Sequence, residues 1–323
     1  MMPYQKRAGI APKLRVLTLT FALTLAAMAR NGSMLHEPLE GSIAYSSRLP
    51  GSLKTSICVA NADGSGERRL PGTERAQFLH MNRAGSFLLF VQDEEEWTAR
   101  EIFIIGTDGK GKKKLTNNRF DDNQPRFSSD GRSIVFVSER DGSPEIYTMN
   151  SDGSQQKRMT FGRGVNSGPC FSPDGKRIVF ATFVPKQGYR GTYSLNFINS
   201  DGTGLRTFLK STSYIDPIWH PNGESLLCHN DKDFVVFSLT GGKTRHIPVK
   251  GSWPSWSPNG HHIVFIRLTE LIKNNDTIVP YYNVFTISAH GQETRAVVNQ
   301  RRSDDSLSSS QWATWGGKVS PGR

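Results

Sequence analysis

The sequence is poor in the residues that usually announce chemistry. Among 323 residues there are three cysteines and no Cys-x-x-Cys or His-Glu-x-x-His spacing. That removes the common zinc sites and a disulfide framework as organising principles. Cys58, Cys170 and Cys228 fall in strand-like stretches of different repeats, where they are expected as small buried hydrophobes. A Gly-x-Ser-x-Gly elbow is also missing, so a serine hydrolase of the propeller-peptidase kind lacks its nucleophile. The apolar run Val16–Ala29, broken by Thr18, Thr20 and Thr24, is too short to span a bilayer.

That run has another reading. Lys6, Arg7, Lys13 and Arg15 form a positive region ahead of it, and Ala27-Met28-Ala29 places small residues where a signal peptidase cuts. Residues 1–29 are therefore expected to be a signal peptide, cleaved before Arg30; a start at Met34 is the alternative. Loss of four basic residues and no acidic one lowers the formal net charge from +11 to +7. The product is expected to be periplasmic or secreted, with no membrane span left.

What is abundant is glycine, and it recurs in register. An apolar or aromatic strand ends in a turn at Met81–Gly85, Phe127–Gly131, Phe171–Gly175, Trp219–Gly223 and Trp256–Gly260, with a degenerate copy at Trp312–Gly316. Asp-Gly and Asn-Gly at these turns tolerate the positive φ of a tight hairpin. Five residues after each turn glycine stand Phe90, Phe136, Phe180, Cys228 and Phe265. A further column, Ile57, Ile102, Ile146, Leu195, Val235 and Val284, lies seven residues before Gly64, Gly109, Gly153, Gly202, Gly242 and Gly291. A period of 40–50 residues with four short strands per unit is a propeller signature.

Six third strands but only five complete units are present. The stretch from Ile43 lacks a first strand, and the stretch around Trp312 is a first strand with nothing after it. The expectation is an all-β, six-bladed ring over 42–317 whose last strand completes the first blade and removes the free edges. Residues 30–41 and 318–323 are read as a short leading segment and a tail.

The motif Phe171-Ser172-Pro173-Asp174-Gly175-Lys176-Arg177-Ile178-Val179-Phe180 resembles the repeat of TolB-like propellers, as do Glu145-Ile146-Tyr147 and Ser151-Asp152-Gly153-Ser154. The resemblance covers the propeller alone, without the α/β domain that precedes it in TolB. It implies a non-catalytic propeller that binds a protein or peptide segment on one face.

Other signals weigh less. Gly106–Lys113 is one residue short of a phosphate loop and lies on a strand–turn–strand. Basic residues at 68/69, 112–114, 157/158, 243/245 and 295 recur on fourth strands, where charge discourages edge-to-edge pairing, and they form no single nucleic-acid groove. His220, His261, His262 and His290 sit at hairpin turns. Some TolB-like relatives are pectate-fragment lyases with a histidine-held metal; turn histidines do not suit that role, and no metal or cofactor is expected.

Both glycine hairpins of each blade belong on one face of the disc. The other face carries the segments 92–100, 183–192 and 267–282 and the blade connections, and variable loops on a rigid scaffold are where function concentrates. The candidate partner-binding residues there are Asp122, Arg190, Tyr214, Asp216, Tyr281 and Tyr282. The two aspartates stand close to inner strands and are expected to reach the channel mouth. The expected protein is a monomeric binder of a protein or peptide. A carbohydrate lyase or hydrolase with its site at the channel mouth is the alternative.

Overall fold

The computed structural model describes residues 39–48, 54–93, 99–162, 164–185, 191–230, 232–274, 277–298 and 310–317. They form six four-stranded antiparallel sheets. The first blade combines β1 (Ser42–Arg48), β2 (Thr55–Asn61) and β3 (Arg68–Arg69) with the last strand, β24 (Ser310–Gly316), in the order β24-β1-β2-β3. The second holds β4 (Gln77–Met81), β5 (Phe87–Gln92), β6 (Glu101–Gly106) and β7 (Lys113–Lys114). The third holds β8 (Asp122–Phe127), β9 (Ser133–Ser138), β10 (Glu145–Asn150) and β11 (Lys157–Arg158). Blade four runs β12 (Val165–Phe171), β13 (Arg177–Pro185), β14 (Gly191–Asn199) and β15 (Arg206–Thr212). Blade five is β16 (Ile215–Trp219), β17 (Ser225–His229), β18 (Phe234–Ser238) and β19 (Arg245–Ile247). Blade six is β20 (Ser252–Trp256), β21 (His262–Asn274), β22 (Thr277–Ser288) and β23 (Arg295–Val298).

The glycine columns explain this architecture. Gly85, Gly131, Gly175, Gly223 and Gly260 all have φ between 70° and 78°, the left-handed conformation that ends each inner strand. Serine and aspartate close the turn: Ser128 Oγ donates to Asp130 Oδ1 at 2.6 Å, and Ser133 N donates back to Ser128 Oγ at 2.9 Å. The apolar columns make the core. Ile57, Ile102, Ile146, Leu195, Val235 and Val284 are completely buried, as are Phe90, Phe136 and Cys228. Three blades share a further lock, in which a threonine hydroxyl (Thr73, Thr116, Thr160) accepts the N–H of Ile57, Ile102 or Ile146.

The turn after the inner strand, present in blades two to six, and the turn before the outer strand of every blade meet on one face, called the hairpin face below. In each blade a backbone N–H past the third strand bonds to the segment flanking the first turn, as in Ser151 N to Arg132 O and Ala62 N to Gly41 O. The ring is closed by β24, paired antiparallel to β1 from Ser42↔Gly316 to Ser47↔Ser310. Trp315 Nε1 donates to Glu40 O at 2.8 Å, and Met81 N of the second blade donates to Thr314 Oγ1 at 3.2 Å.

Three details depart from the sequence reading. In blade five the positive φ falls on Gly241 (88°), not Gly242, so this turn is a residue tighter. The fourth strand of blade four begins at Arg206 and is seven residues long, which adds a basic position to the pattern. The stretch 267–282, read as a loop, is a hairpin extension with Leu268↔Tyr282 and Leu271↔Pro280 in register; 183–192 likewise pairs to Pro185↔Gly191. The basic residues of the outer strands also do more than discourage pairing. Lys113 Nζ donates to Asp152 O at 2.7 Å and Lys157 Nζ to Asp201 O at 2.8 Å, so each fastens its blade to the next.

Candidate functional site

Inner strands β4, β8, β12, β16, β20 and β24 surround a central lumen. Each carries a bulge against its neighbour. In five of them the bulge sets one residue at positive φ: Phe78 (50°), Gln124 (52°), Gly168 (59°), Asp216 (48°) and Trp253 (56°). Proline follows in four, at Pro125, Pro169, Pro217 and Pro254. An inner strand is a sheet edge, so it can lose a backbone donor there without breaking a ladder.

The bulge residues line a small cavity of about 50 Å³ on the connection side of the lumen. One part of its wall is aromatic: Phe78 and Trp253 meet edge to face with centroids 5.9 Å apart. The other part is polar. Gln124 Oε1 accepts the N–H of Gly168 at 2.7 Å, and Asp216 lies against Gly168 so closely that a Cβ there would stand 2.8 Å from its Oδ1. Asp216 itself accepts from His229 Nε2 at 3.1 Å, and both side chains are nearly buried.

Two residues further along each strand, His80, Arg126, Cys170, Ile218, Ser255 and Thr314 form a waist. Beyond it a vestibule of about 130 Å³ widens to the hairpin face between Arg83, Pro173, Pro221 and Pro258. His80 Nδ1 accepts the N–H of Phe127 at 3.3 Å. Loss of solvent, with the charge of Arg126 as a smaller cause, pushes the His80 pKa down to about 3.

A family model described as the TolB beta propeller domain matches residues 80–234. TolB from Acinetobacter baumannii superposes with a TM-score of 0.68 at 18% identity, over 96% of this chain and 74% of that one. A putative TolB from Agrobacterium tumefaciens gives 0.59 at 15% identity, over 86% and 99%. This chain is a six-bladed β-propeller, and its middle part is similar to the TolB propeller domain. The fold is shared more widely: the β-propeller domain of the Trilobed protease from Pyrococcus furiosus matches at 0.54 and 13% identity, over 82% of this chain and 97% of that domain. No curated protein sequence matches the chain.

Of the candidate partner-binding residues that the structure describes, only Asp216 lines the lumen wall. Asp122 is fully buried at the start of β8, where Arg140 Nη2 (2.9 Å) and Asn118 Nδ2 (2.7 Å) both bond to Oδ2. The expectation that it reaches the channel mouth does not hold, because an internal ion pair already engages its carboxylate. Tyr214 packs edge to face on Phe237 with centroids 5.5 Å apart, between blades four and five. Tyr282 is half-buried on the blade-six hairpin; Tyr281 pairs with Glu270 through the backbone, and nothing further of its side chain is described. Arg190 lies outside the described residues.

The histidines divide similarly. His220 replaces a turn serine: its Nδ1 lies 2.6 Å from Asn222 Oδ1, and its Nε2 lies 3.2 Å from Gly260 O of the next blade. His290 accepts from Arg245 across another blade boundary at 2.9 Å. Among the described residues no three His, Cys, Asp or Glu side chains converge as a metal site. The sequence reading missed His80, Arg126 and every bulge residue except Asp216. The recurring proline two residues before the strand-ending aromatic was the available signal.

Proposed function

We propose that this TolB-like propeller is exported and binds a protein or peptide partner on its connection face. The observation that carries the reading is a set of exposed apolar side chains there. Phe161 is 76% exposed, and Phe120, Val165 and Val184 are each about 40% exposed. All four belong to blades three and four or the connections that lead into them. Val165 and Val184 are neighbours, since Val165 pairs with Phe183. Arg158 lies over the Phe161 ring, its guanidinium carbon 4.7 Å from the centroid. Water-facing aromatic and aliphatic groups rimmed by cations suit a macromolecular surface. The basic, apolar and small-residue order of residues 1–29 supports export, and a periplasmic or secreted location follows from it.

Photo-crosslinkers placed at Val184 and, on the opposite face, at Asp152 test the reading in the native compartment. Capture from Val184 alone is expected. Phe161→Ser and Asp216→Asn should weaken that partner about tenfold or more, with Asp152→Asn without effect. A partner captured only from Asp152 overturns the assignment of the face. A second reading, a carbohydrate lyase or hydrolase, draws on the Asp216–His229 pair at the lumen. Release of unsaturated or reducing sugar from uronate oligosaccharides, abolished by Asp216→Asn, would support it.

A further inference from the structure

The waist of the lumen carries a cation that no described residue neutralises. Arg126 lines both the inner cavity and the vestibule, is half-buried, and has no hydrogen bond or ion pair among the described residues. An enclosed guanidinium without an acceptor forfeits part of its hydration and gains nothing in exchange. Among the described residues its surroundings supply no counter-charge. The vestibule wall contains no aspartate or glutamate, and the inner cavity has one carboxylate, Asp216, which His229 already engages.

The neighbours of Arg126 are donors. Following the ring through blades six, one, two and three, the waist positions are Ser255, Thr314, His80 and Arg126; Cys170 and Ile218 complete the circle. Neutral His80 accepts a backbone N–H at Nδ1, which fixes its proton on Nε2, a donor. Thr314 Oγ1 accepts from Met81 N, so its own hydrogen is available to give. Trp219 and Trp256 also line the vestibule, and the indole Nε1 of each is buried just behind it without a partner among the described residues.

From this half-ring we infer that the waist is a receptor for a small oxyanion, a carboxylate or phosphate group that enters from the hairpin face and pairs with Arg126. The planar guanidinium offers two parallel N–H groups to such a ligand. The vestibule, at about 130 Å³, admits a single acidic group but not a folded element. The group is either a free anion or an acidic side chain or terminus of a peptide. The site lies on the opposite side of the waist from the surface proposed above and does not depend on it.

The test uses the full chain with inorganic phosphate, acetate and an acidic model peptide as probes, read by calorimetry and by nitrogen NMR of the histidines. Phosphate or acetate is expected to saturate one site and to shift the His80 ring signals. Arg126→Gln should weaken binding about tenfold or more, with Arg126→Lys intermediate. Because the Arg126 side chain has no hydrogen bond or ion pair among the described residues, Arg126→Gln should keep the melting temperature of the free chain. A peptide that competes with phosphate identifies an acidic segment as the source; phosphate binding without competition identifies a free anion. Binding that survives Arg126→Gln undiminished, or absence of binding by all three probes, overturns the inference.

Discussion

Gly64, in the outer turn of the first blade, sits against the backbone carbonyl of Val297, in the outer strand of the last. This is a closing contact of the ring outside the β24–β1 pairing. It repeats the way Gly153 meets Leu115 and Gly291 meets Ile247 at other blade boundaries. With φ at 87°, Gly64 has both the wrong backbone angle and no room for a side chain. Gly64→Ala is expected to destabilise the protein by about 2 kcal/mol, measured by denaturant unfolding. An unchanged midpoint would show that the outer turns do not help to close the ring.

Removing residues 303–323 takes away β24 and exposes the inner edge of β1 and the lumen side of the second blade. The truncated chain should lose its cooperative melting transition and associate, because the edge of β1 opens while the second blade loses its packing against β24. Calorimetry with light scattering checks this. A monomer with unchanged melting temperature would contradict the closure.

Asp122 and Arg140 form an ion pair with a fully buried carboxylate and a largely buried guanidinium. Asp122→Asn should cost about 3 kcal/mol of stability by leaving Arg140 without its counter-charge. Partner affinity, measured on the folded fraction, should not change. Loss of affinity with intact stability would instead place Asp122 in the binding surface.

His80, with its pKa lowered to about 3 against an unfolded value of 6.5, stays neutral while the unfolded chain takes up a proton. Its contribution to stability is therefore complete above pH 6.5 and is lost as pH falls toward 3, with a limiting slope of about 1.4 kcal/mol per pH unit. His80→Gln keeps an acceptor for Phe127 N and should flatten the stability profile between pH 6.5 and 5. Parallel profiles for the two proteins would show that His80 is not held neutral.

Burial pushes the Cys58 thiol up to about 11 and raises Cys228 as well, with Asp216 adding to the latter. Cys170 is half-buried on the vestibule wall. A disulfide reagent should label one thiol in the folded protein and three after denaturation, and peptide mapping should find the native label on Cys170. Rapid labelling of Cys58 or Cys228 would mean that the blades open readily.

The ring was legible because its determinants are side-chain types. Only glycine suits Gly131 and Gly175, and only apolar groups suit Ile102 and Ile146, so the same letters return every blade. The lumen was not legible in this way. Phe78, Gln124, Gly168, Asp216 and Trp253 share a backbone angle, not a chemistry, and the bulge that imposes it admits unlike side chains. Asp122 and Asp216 looked equivalent in sequence. Arg140, eighteen residues beyond Asp122, and His229, thirteen beyond Asp216, decide which one faces the lumen. The hairpin through Leu268 and Tyr282 was hidden because Pro280 interrupts its second strand.

The prolines of the inner strands carry one more consequence. Where Pro125, Pro169, Pro217 and Pro254 face the lumen, the channel wall has no amide hydrogen to offer. A polypeptide threading the channel therefore finds no amide donor at those four positions to pair it as a fifth strand of the blade. At those positions whatever the channel admits is read by its functional groups rather than by its main chain.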